Sequence, residues 1–224
     1  MITLCSKGAM QRMQRFVLQE NIRRFQAQLG RLSDAEDLHR VVLLMAAMER
    51  ELALLDASET GVVGRGAALG PAPDEAAAAR AEAIARFRED FNSAGQIAAL
   101  IDPGPGLTYV DINPAYEQVL GVARGDLIGT GLFDQFPDNP DDPAADGAYK
   151  VYMSLRQVAE TREAHVMPLQ RYDVAVEGGA FVARHWRIVN TPVLDAEGRL
   201  LLLLNTAQEL SGEEVPQAQA PPPG

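Results

Sequence analysis

Apolar residues in the first sixty positions recur with the period of an α-helix. Leu18, Ile22, Phe25, Leu29 and Leu32 follow steps of four and three, which sets them on one stripe and leaves Arg23, Arg24 and Arg31 off it. Ser33-Asp34-Ala35-Glu36 then spells a capping box, in which the Ser hydroxyl and the Glu carboxylate satisfy the free amides that open a second helix. The stripe of that helix is Leu38, Val41, Met45, Met48, Leu52 and Leu55. Two helices with so short a connection fold back on each other, predicting an antiparallel hairpin over residues 10–57. A pair of this size has little core of its own, so it reads either as a docking or dimerisation element or as a plain N-terminal cap.

The periodic pattern stops at Ser58. Residues 58–73 carry four glycines and two prolines and predict a flexible linker. Residues 74–90 are Ala-rich, with Ile84, Phe87 and the adjoining Phe91 at helical spacing, and predict a connecting amphipathic helix after Pro73. At the other end, residues 212–224 are rich in Gln, Ala and Pro and predict a disordered tail.

Between these lies a region of mixed periods, residues 91–211. Ile97 to Ile101 and Leu107 to Ile112, separated by Asp102-Pro103-Gly104-Pro105-Gly106, predict a β-hairpin. Asn113-Pro114 supplies an N-cap with proline at the first helical position, so Ala115 to Leu120 becomes a short helix. Gly121, Gly125, Gly129 and Gly131 punctuate two further short segments, and an acidic, proline-rich loop runs from Pro137 to Asp146. Val151, Leu155, Val158 and Ala159 give helical spacing to residues 148–161. Three strand-like runs follow, over 166–176, 181–194 and 200–207, with Pro168 placing the first of them at a sheet edge. The fold class is therefore α+β, an antiparallel sheet with flanking helices plus an N-terminal α-helical hairpin, with one sheet face covered by helices and the other left for a partner.

Charge divides the chain. Residues 1–31 hold six Lys or Arg against one Glu, whereas residues 91–211 hold eight basic and sixteen acidic groups, within a total of −11. An acidic body repels phosphate backbones and argues against nucleic acid as the partner of the main domain. The basic segment retains the option of an anionic partner. The apolar runs Val41 to Met48 and Leu200 to Leu204 fall short of the ~20 residues that cross a bilayer. Lys7 follows the few leading apolar residues with no apolar run behind it, so no export signal is read and the cytoplasm is expected. Cys5 is the single cysteine, which excludes an internal disulfide, and it has no Cys or His neighbour at metal-ligand spacing.

Several motifs in the mixed region resemble the PAS domain family. They are Asn113-Pro114-Ala115-Tyr116 after the second strand, and Asn190-Thr191-Pro192-Val193-Leu194-Asp195 with Gly198 before the last strand. More specific is the run from Gly131 through Leu132, Phe133, Asp134, Gln135, Phe136 and Pro137 to Pro143, followed by Gln170-Arg171-Tyr172-Asp173. That run resembles a bacterial subgroup found as sensory inputs of histidine kinases and as free-standing regulators. The resemblance implies a five-stranded sheet of order 2-1-5-4-3, a pocket between sheet and helices, and a role in sensing or partner binding. Glu209-Leu210-Ser211 occupies the place of the triplet that, in many such domains, couples the last strand to an output helix. With no fused output module read after it, the signal is expected to leave through the N-terminal helices, the sheet face or a separate protein.

The expected function is a non-catalytic signalling module that senses a small ligand, binds a partner, or both. The expected partners are a signalling protein, such as a histidine kinase or another regulator, and a second copy in a homodimer. Tyr116, Phe133, Phe136, Trp186 and Asn190 are the candidate pocket residues, with Arg171 as a candidate contact for an anionic ligand. Trp186, Ile188 and Asn190 share one strand face, and His185, Arg187 and Val189 the other. No cofactor is expected. Flavin adduct chemistry needs a cysteine in the domain, and Cys5 lies outside it. Haem would draw on His165 or His185, which fall on strands and not on the long helix where haem-binding relatives carry their ligand. The acidic loop 138–146 carries clustered carboxylates that attract cations, but its prolines favour a structural loop. An alternative function, phosphotransfer through His39 on the second helix, is disfavoured because Arg40 follows it where an acidic residue commonly stands. No G-x-S-x-G, P-loop, H-E-x-x-H or dinucleotide fingerprint is present.

Overall fold

A computed structural model describes residues 2–32, 34–63, 73–139, 142, 145–175 and 181–210. The sequence stretches read as the core of the linker, 64–72, and as the tail, 212–224, lie outside the described residues.

The chain begins with two long helices, α1 (Ile2–Leu29) and α2 (Ala35–Thr60), which pack as an antiparallel pair. Leu18 and Ile22 of the predicted stripe are buried between them. Helix α1 starts at Ile2, ahead of the expected residue 10. The cap of α2 is also displaced from expectation. Asp34, in extended conformation, accepts the amide protons of Glu36 and Asp37 at 2.9 and 3.0 Å, so the carboxylate one residue beyond Ser33 does the capping. Arg15 pairs with Asp56 and with Glu59 at 2.9 Å, so part of the basic charge of α1 is answered within the hairpin.

Along α2 the buried positions change character. Leu38 is exposed, Leu52 and Leu55 are only partly covered, and the fully covered residues are Ala53 and Ala57. These small side chains let the last turns of α2 approach the β-domain closely, where they join Ile101, Leu107, Tyr152, Leu155, Val158 and Leu203 in one apolar cluster. The helix runs to Thr60, into the segment whose composition suggests a linker. Gly61 then closes it at φ +62, ψ −140. A Cβ there would lie 2.1 Å from Gly104 O and 2.2 Å from Pro103 O, so only glycine allows this contact. Two backbone bonds seal it, Val62 N–H to Pro103 O and Gly106 N–H to Ala57 O, both 2.9 Å.

The domain after α3 (Pro73–Phe91) contains β1 (Ile97–Ile101), β2 (Tyr109–Ile112), α4 (Pro114–Leu120), α5 (Arg124–Leu127), α6 (Leu132–Gln135), α7 (Gly147–Thr161), β3 (His165–Val166), β4 (Gln170–Ala175), β5 (Phe181–Leu194) and β6 (Leu200–Leu210). The strands form one antiparallel sheet of order β2-β1-β6-β5, with β3 and β4 both paired to β5. The expected third strand is thus a single edge in two pieces, broken at residues 167–169 around Pro168, which has no N–H to donate. Counted that way, the order is the expected 2-1-5-4-3.

Asn113 explains why the Asn-Pro motif follows β2. Its Oδ1 accepts from Tyr116 N–H at 3.1 Å and from Ala98 N–H at 2.9 Å, while its Nδ2 donates to Phe91 O and Gln96 O. One buried amide therefore caps α4 and fixes the junction of α3 with β1.

Strand alternation sends Ile97, Ala99 and Ile101 to the side of α4–α7, and Ala98 and Leu100 to the other. That other side is not left open over these residues. Phe87 of α3 is buried against Ala98, Leu100 and Leu202, with Ile84 and Phe91 beside it. Two ion pairs hold α3 down, Arg80 to Asp102 at 2.5 Å and Arg88 to Asp111 at 2.7 Å. The expectation of a free sheet face is corrected here, because the amphipathic stripe of α3 finds its apolar partner on the same chain. Among the described residues no helix is long and apolar enough to cross a membrane.

Candidate functional site

Between the inner sheet face and helices α4, α6 and α7 lies a cavity of about 100 Å³. Strand alternation builds its floor. Ile97 and Tyr109 point inward from β1 and β2, Trp186 and Ile188 from β5, Asn205 and Ala207 from β6, and Gln170 from the edge strand. The roof is Tyr116 and Leu120 of α4, Leu132 and Phe133 of α6, Phe136 just beyond it, and Gly147, Ala148 and Val151 of α7.

Four of the expected pocket residues, Tyr116, Phe133, Phe136 and Trp186, line this cavity together. Tyr116 meets Phe136 edge-on with ring centroids 6.3 Å apart, and meets Tyr109 edge-on at 6.0 Å. The hydroxyls of Tyr109 and Tyr116 are hydrogen-bonded at 2.8 Å. Burial pushes the Tyr116 phenol well above its ordinary range, with the Tyr109 hydrogen bond opposing, so it stays neutral at physiological pH.

Arg171 is not part of the site. It follows Gln170 on β4, so when Gln170 turns inward Arg171 turns outward, and it is exposed. Asn190 lies outside the cavity lining as well, though on the predicted face of β5 and fully buried. It forms the centre of a polar chain. Asn205 Nδ2 donates to Asn190 Oδ1 at 2.7 Å, Asn190 Nδ2 donates to Ser154 Oγ at 2.7 Å, and Ser154 Oγ lies 2.7 Å from His165 Nδ1. The chain links the cavity wall at Asn205 to a groove between α7 and β3 lined by Ser154, His165 and Met167.

Tyr109, Gln170 and Asn205 are wall residues that were not among the candidates, although Gln170 stands in a quoted motif beside Arg171, which was chosen instead. The parity of the strands was the available signal, since Asn205 shares its face with Leu203 and Ala207. The polar inventory of the wall contains one anomaly. Trp186 is 4% exposed and its indole N–H is buried with no acceptor among the described residues. Among the described residues no Asp, Glu, Lys, Arg or His lines the cavity.

The remaining expected groups are placed elsewhere. His165 is engaged with Ser154, and His185 sits on the opposite face of β5 from Trp186, so neither lines the cavity. His39 is exposed on α2, beside an Arg40 paired with Glu36. In the acidic loop, Asp138 Oδ1 accepts the Ala148 N–H at 2.9 Å, so this carboxylate caps the start of α7 from outside the helix. Burial pushes the Asp138 carboxyl up, with the backbone donors opposing. Among the described residues no group of three or more His, Cys, Asp or Glu is placed to hold a metal ion.

This architecture has a family. The model for the PAS fold matches residues 91–215, more than half of the chain, and the chain belongs to that family. No curated protein matches it. Among solved structures, it is similar to the LOV protein of Rhodobacter sphaeroides, with 17% identity over 59% of this chain and 70% of that one and a TM-score of 0.47. It is also similar to a PAS domain from Colwellia psychrerythraea, with 11% identity over 57% and 97% and a TM-score of 0.43. The VqmA dimer of Vibrio cholerae shows 23% identity over 59% and 53% and a TM-score of 0.39.

Proposed function

We propose that this chain is a non-catalytic PAS sensor that takes a compact small molecule into the cavity and transmits its presence through the N-terminal hairpin to a protein partner. The observation that carries the reading is the sharing of residues between two sites. Leu132, Phe133 and Val151 line the cavity and also pack on the cluster that receives Ala53 and Ala57 of α2. The Phe133 ring meets Tyr152 edge-on at 6.4 Å, and Tyr152 is buried in that same cluster. A ligand pressing on Phe133 therefore acts on the seat of α2, and packed cores pass such displacements on.

The size of the cavity supports a small occupant. A dry cavity of ~150 Å³ holds benzene, so about 100 Å³ suits one small ring. A volume of this size supports a one-ring occupant over the three fused rings of a flavin or a haem macrocycle, and the histidines weighed as haem ligands lie outside the cavity lining. The hairpin carries exposed apolar residues on both helices, Met10, Met13, Phe16 and Val17 on α1 and Val42, Leu43 and Leu44 on α2. Pairing with a second copy would cover them, and this supports a homodimer.

The test is a screen of neutral one-ring fragments against the full chain by ligand-observed NMR, repeated on Val151→Phe. Fragments that bind the wild type, are lost in Val151→Phe and slow hydrogen exchange in residues 51–62 support the reading. Binding without any change in exchange at residues 51–62 refutes transmission through α2, and no binding refutes the sensor.

A further inference from the structure

Asn190, fully buried on β5, donates from Nδ2 to Ser154 Oγ at 2.7 Å, and the same nitrogen lies 3.6 Å from the Met167 sulfur. A thioether sulfur accepts and has no proton to donate, so Met167 fixes which end of the Asn190 amide is nitrogen. The Asn190 oxygen is left toward β6, where it accepts from Asn205 Nδ2 at 2.7 Å. With that nitrogen committed, Oδ1 is the free end of Asn205. It accepts no hydrogen bond among the described residues, and the one side-chain N or O among them that is both sealed off and unpaired is the Trp186 indole nitrogen. Asn205 Oδ1 therefore keeps accessible surface. The residue faces inward from β6, which β1 and β5 flank on both sides, so this surface opens into the cavity that Asn205 lines. The other polar groups of the wall are engaged or sealed. The Tyr109 and Tyr116 hydroxyls bond to each other at 2.8 Å, and the Trp186 N–H is closed off from the cavity. Gln170 spends Nε2 on Pro168 O at 2.5 Å, and the little surface it keeps is divided between the cavity and the groove between α7 and β3.

Resting on the sensor reading above, we infer that the cavity selects an uncharged, one-ring molecule bearing a hydrogen-bond donor, and that Asn205 Oδ1 is the acceptor that recognises it. A ligand without a donor takes water away from this oxygen and puts nothing in its place, so it carries the cost of an unpaired acceptor. The site does not adapt to an acceptor-bearing ligand instead. Turning the Asn205 amide over would set its oxygen against the Asn190 oxygen, and turning both amides would set the Asn190 oxygen against the Met167 sulfur. Among the described residues no Asp, Glu, Lys, Arg or His lines the cavity, which leaves a charged ligand with nothing to offset its desolvation. The aromatic and aliphatic surfaces of Tyr116, Phe136, Val151 and Ile188 favour a flat apolar body, and the volume limits that body to about one ring.

Pyrrole and oxazole form the matched pair for the test, since both are flat five-membered rings, uncharged near pH 7, and pyrrole offers an N–H where oxazole offers only acceptor atoms. Pyrrole is expected to bind the wild-type chain about fivefold more tightly than oxazole, the value of one net hydrogen bond. Saturating pyrrole is also expected to shift the side-chain carbonyl ¹³C resonance of Asn205. In Asn205→Leu, which keeps the volume and removes the acceptor, the preference is expected to fall below about twofold while oxazole binding persists. Equal binding of both probes to the wild type, a preference for oxazole, or a pyrrole preference that survives Asn205→Leu overturns the acceptor role and leaves the sensor reading intact. A preference lost in Gln170→Leu and kept in Asn205→Leu moves the acceptor to Gln170 and overturns the inference equally. Failure of both probes to bind overturns the cavity reading and this inference together. Should Asn205→Leu not fold, the wild-type spectrum decides alone: an Asn205 carbonyl carbon unmoved by saturating pyrrole overturns the inference.

Discussion

Gly61 is the point where the hairpin meets the sensor domain, and Gly61→Ala tests that junction. Two costs add. The backbone at φ +62, ψ −140 belongs to a region almost confined to glycine, worth about 1–3 kcal/mol of strain for any other residue. The new methyl would also stand 2.1 and 2.2 Å from the carbonyl oxygens of Gly104 and Pro103. Those are backbone atoms of the β1–β2 turn and do not rotate away. Relief requires the end of α2 to lift, which breaks Val62 N–H to Pro103 O and Gly106 N–H to Ala57 O, at about 1 kcal/mol each. The sum is about 3–5 kcal/mol. Gly121→Ala is the control, because Gly121 has φ +66 with no heavy atom within 4 Å of its added Cβ, and so bears strain of only about 1–2 kcal/mol. Urea unfolding followed by Trp186 fluorescence gives the global cost, and hydrogen exchange over residues 51–62 reports the junction itself. The expected result is a larger loss for Gly61→Ala with faster exchange at the end of α2. Equal losses for the two variants, with exchange at residues 51–62 unchanged, would refute the argument that α2 is seated through this glycine.

Two further variants address the clasp and the hairpin surface. Asp111 is about 1% exposed and is held by Arg88 at 2.7 Å, Arg124 at 2.5 Å and the Ile112 N–H at 2.9 Å. Burial alone would raise its carboxyl, but these donors hold it below its ordinary value. Its stabilisation is therefore present above the unfolded value of ~3.9 and is lost as pH falls through the lower folded value. Asp111→Asn is expected to cost about 2–3 kcal/mol near pH 7, reduced from the buried-pair range because both arginines are half-exposed. The difference from wild type should shrink below pH 4 in urea titrations, and a constant difference down to pH 2 would count against the ion pairs. For the hairpin, Phe16→Glu with Leu43→Glu is expected to convert a dimer to a monomer in sedimentation velocity without changing the urea midpoint of the sensor domain. A wild-type chain that sediments as a monomer at ~100 μM, weaker than the micromolar range of ordinary complexes, would remove the case for pairing.

The sequence by itself determined the elements and the family. Helical spacing in residues 18–55, the turn residues of 102–106, the Asn113-Pro114 cap and the alternation along residues 181–194 are local rules, each acting within a few residues, so they survive without knowledge of the fold. They also offered Trp186, Tyr116, Phe133 and Phe136 as candidate pocket residues, through strand parity for Trp186 and aromatic content in the motif runs for the others, without deciding which face of β5 turns inward. Only the tertiary structure decided what those faces meet. Ala53 and Ala57 carry no hydrophobic weight in a pattern, yet their smallness is what seats α2 on Tyr152 and Leu155. Arg171 looked like a ligand contact until the pairing of β4 with β5 turned Gln170 inward in its place. The outer sheet face looked free because the docking of α3 depends on Arg80 and Arg88 finding Asp102 and Asp111, partners more than twenty residues away. The unpaired Trp186 N–H is likewise a property of what surrounds it, and a hydrogen bond that is missing leaves no mark in a sequence.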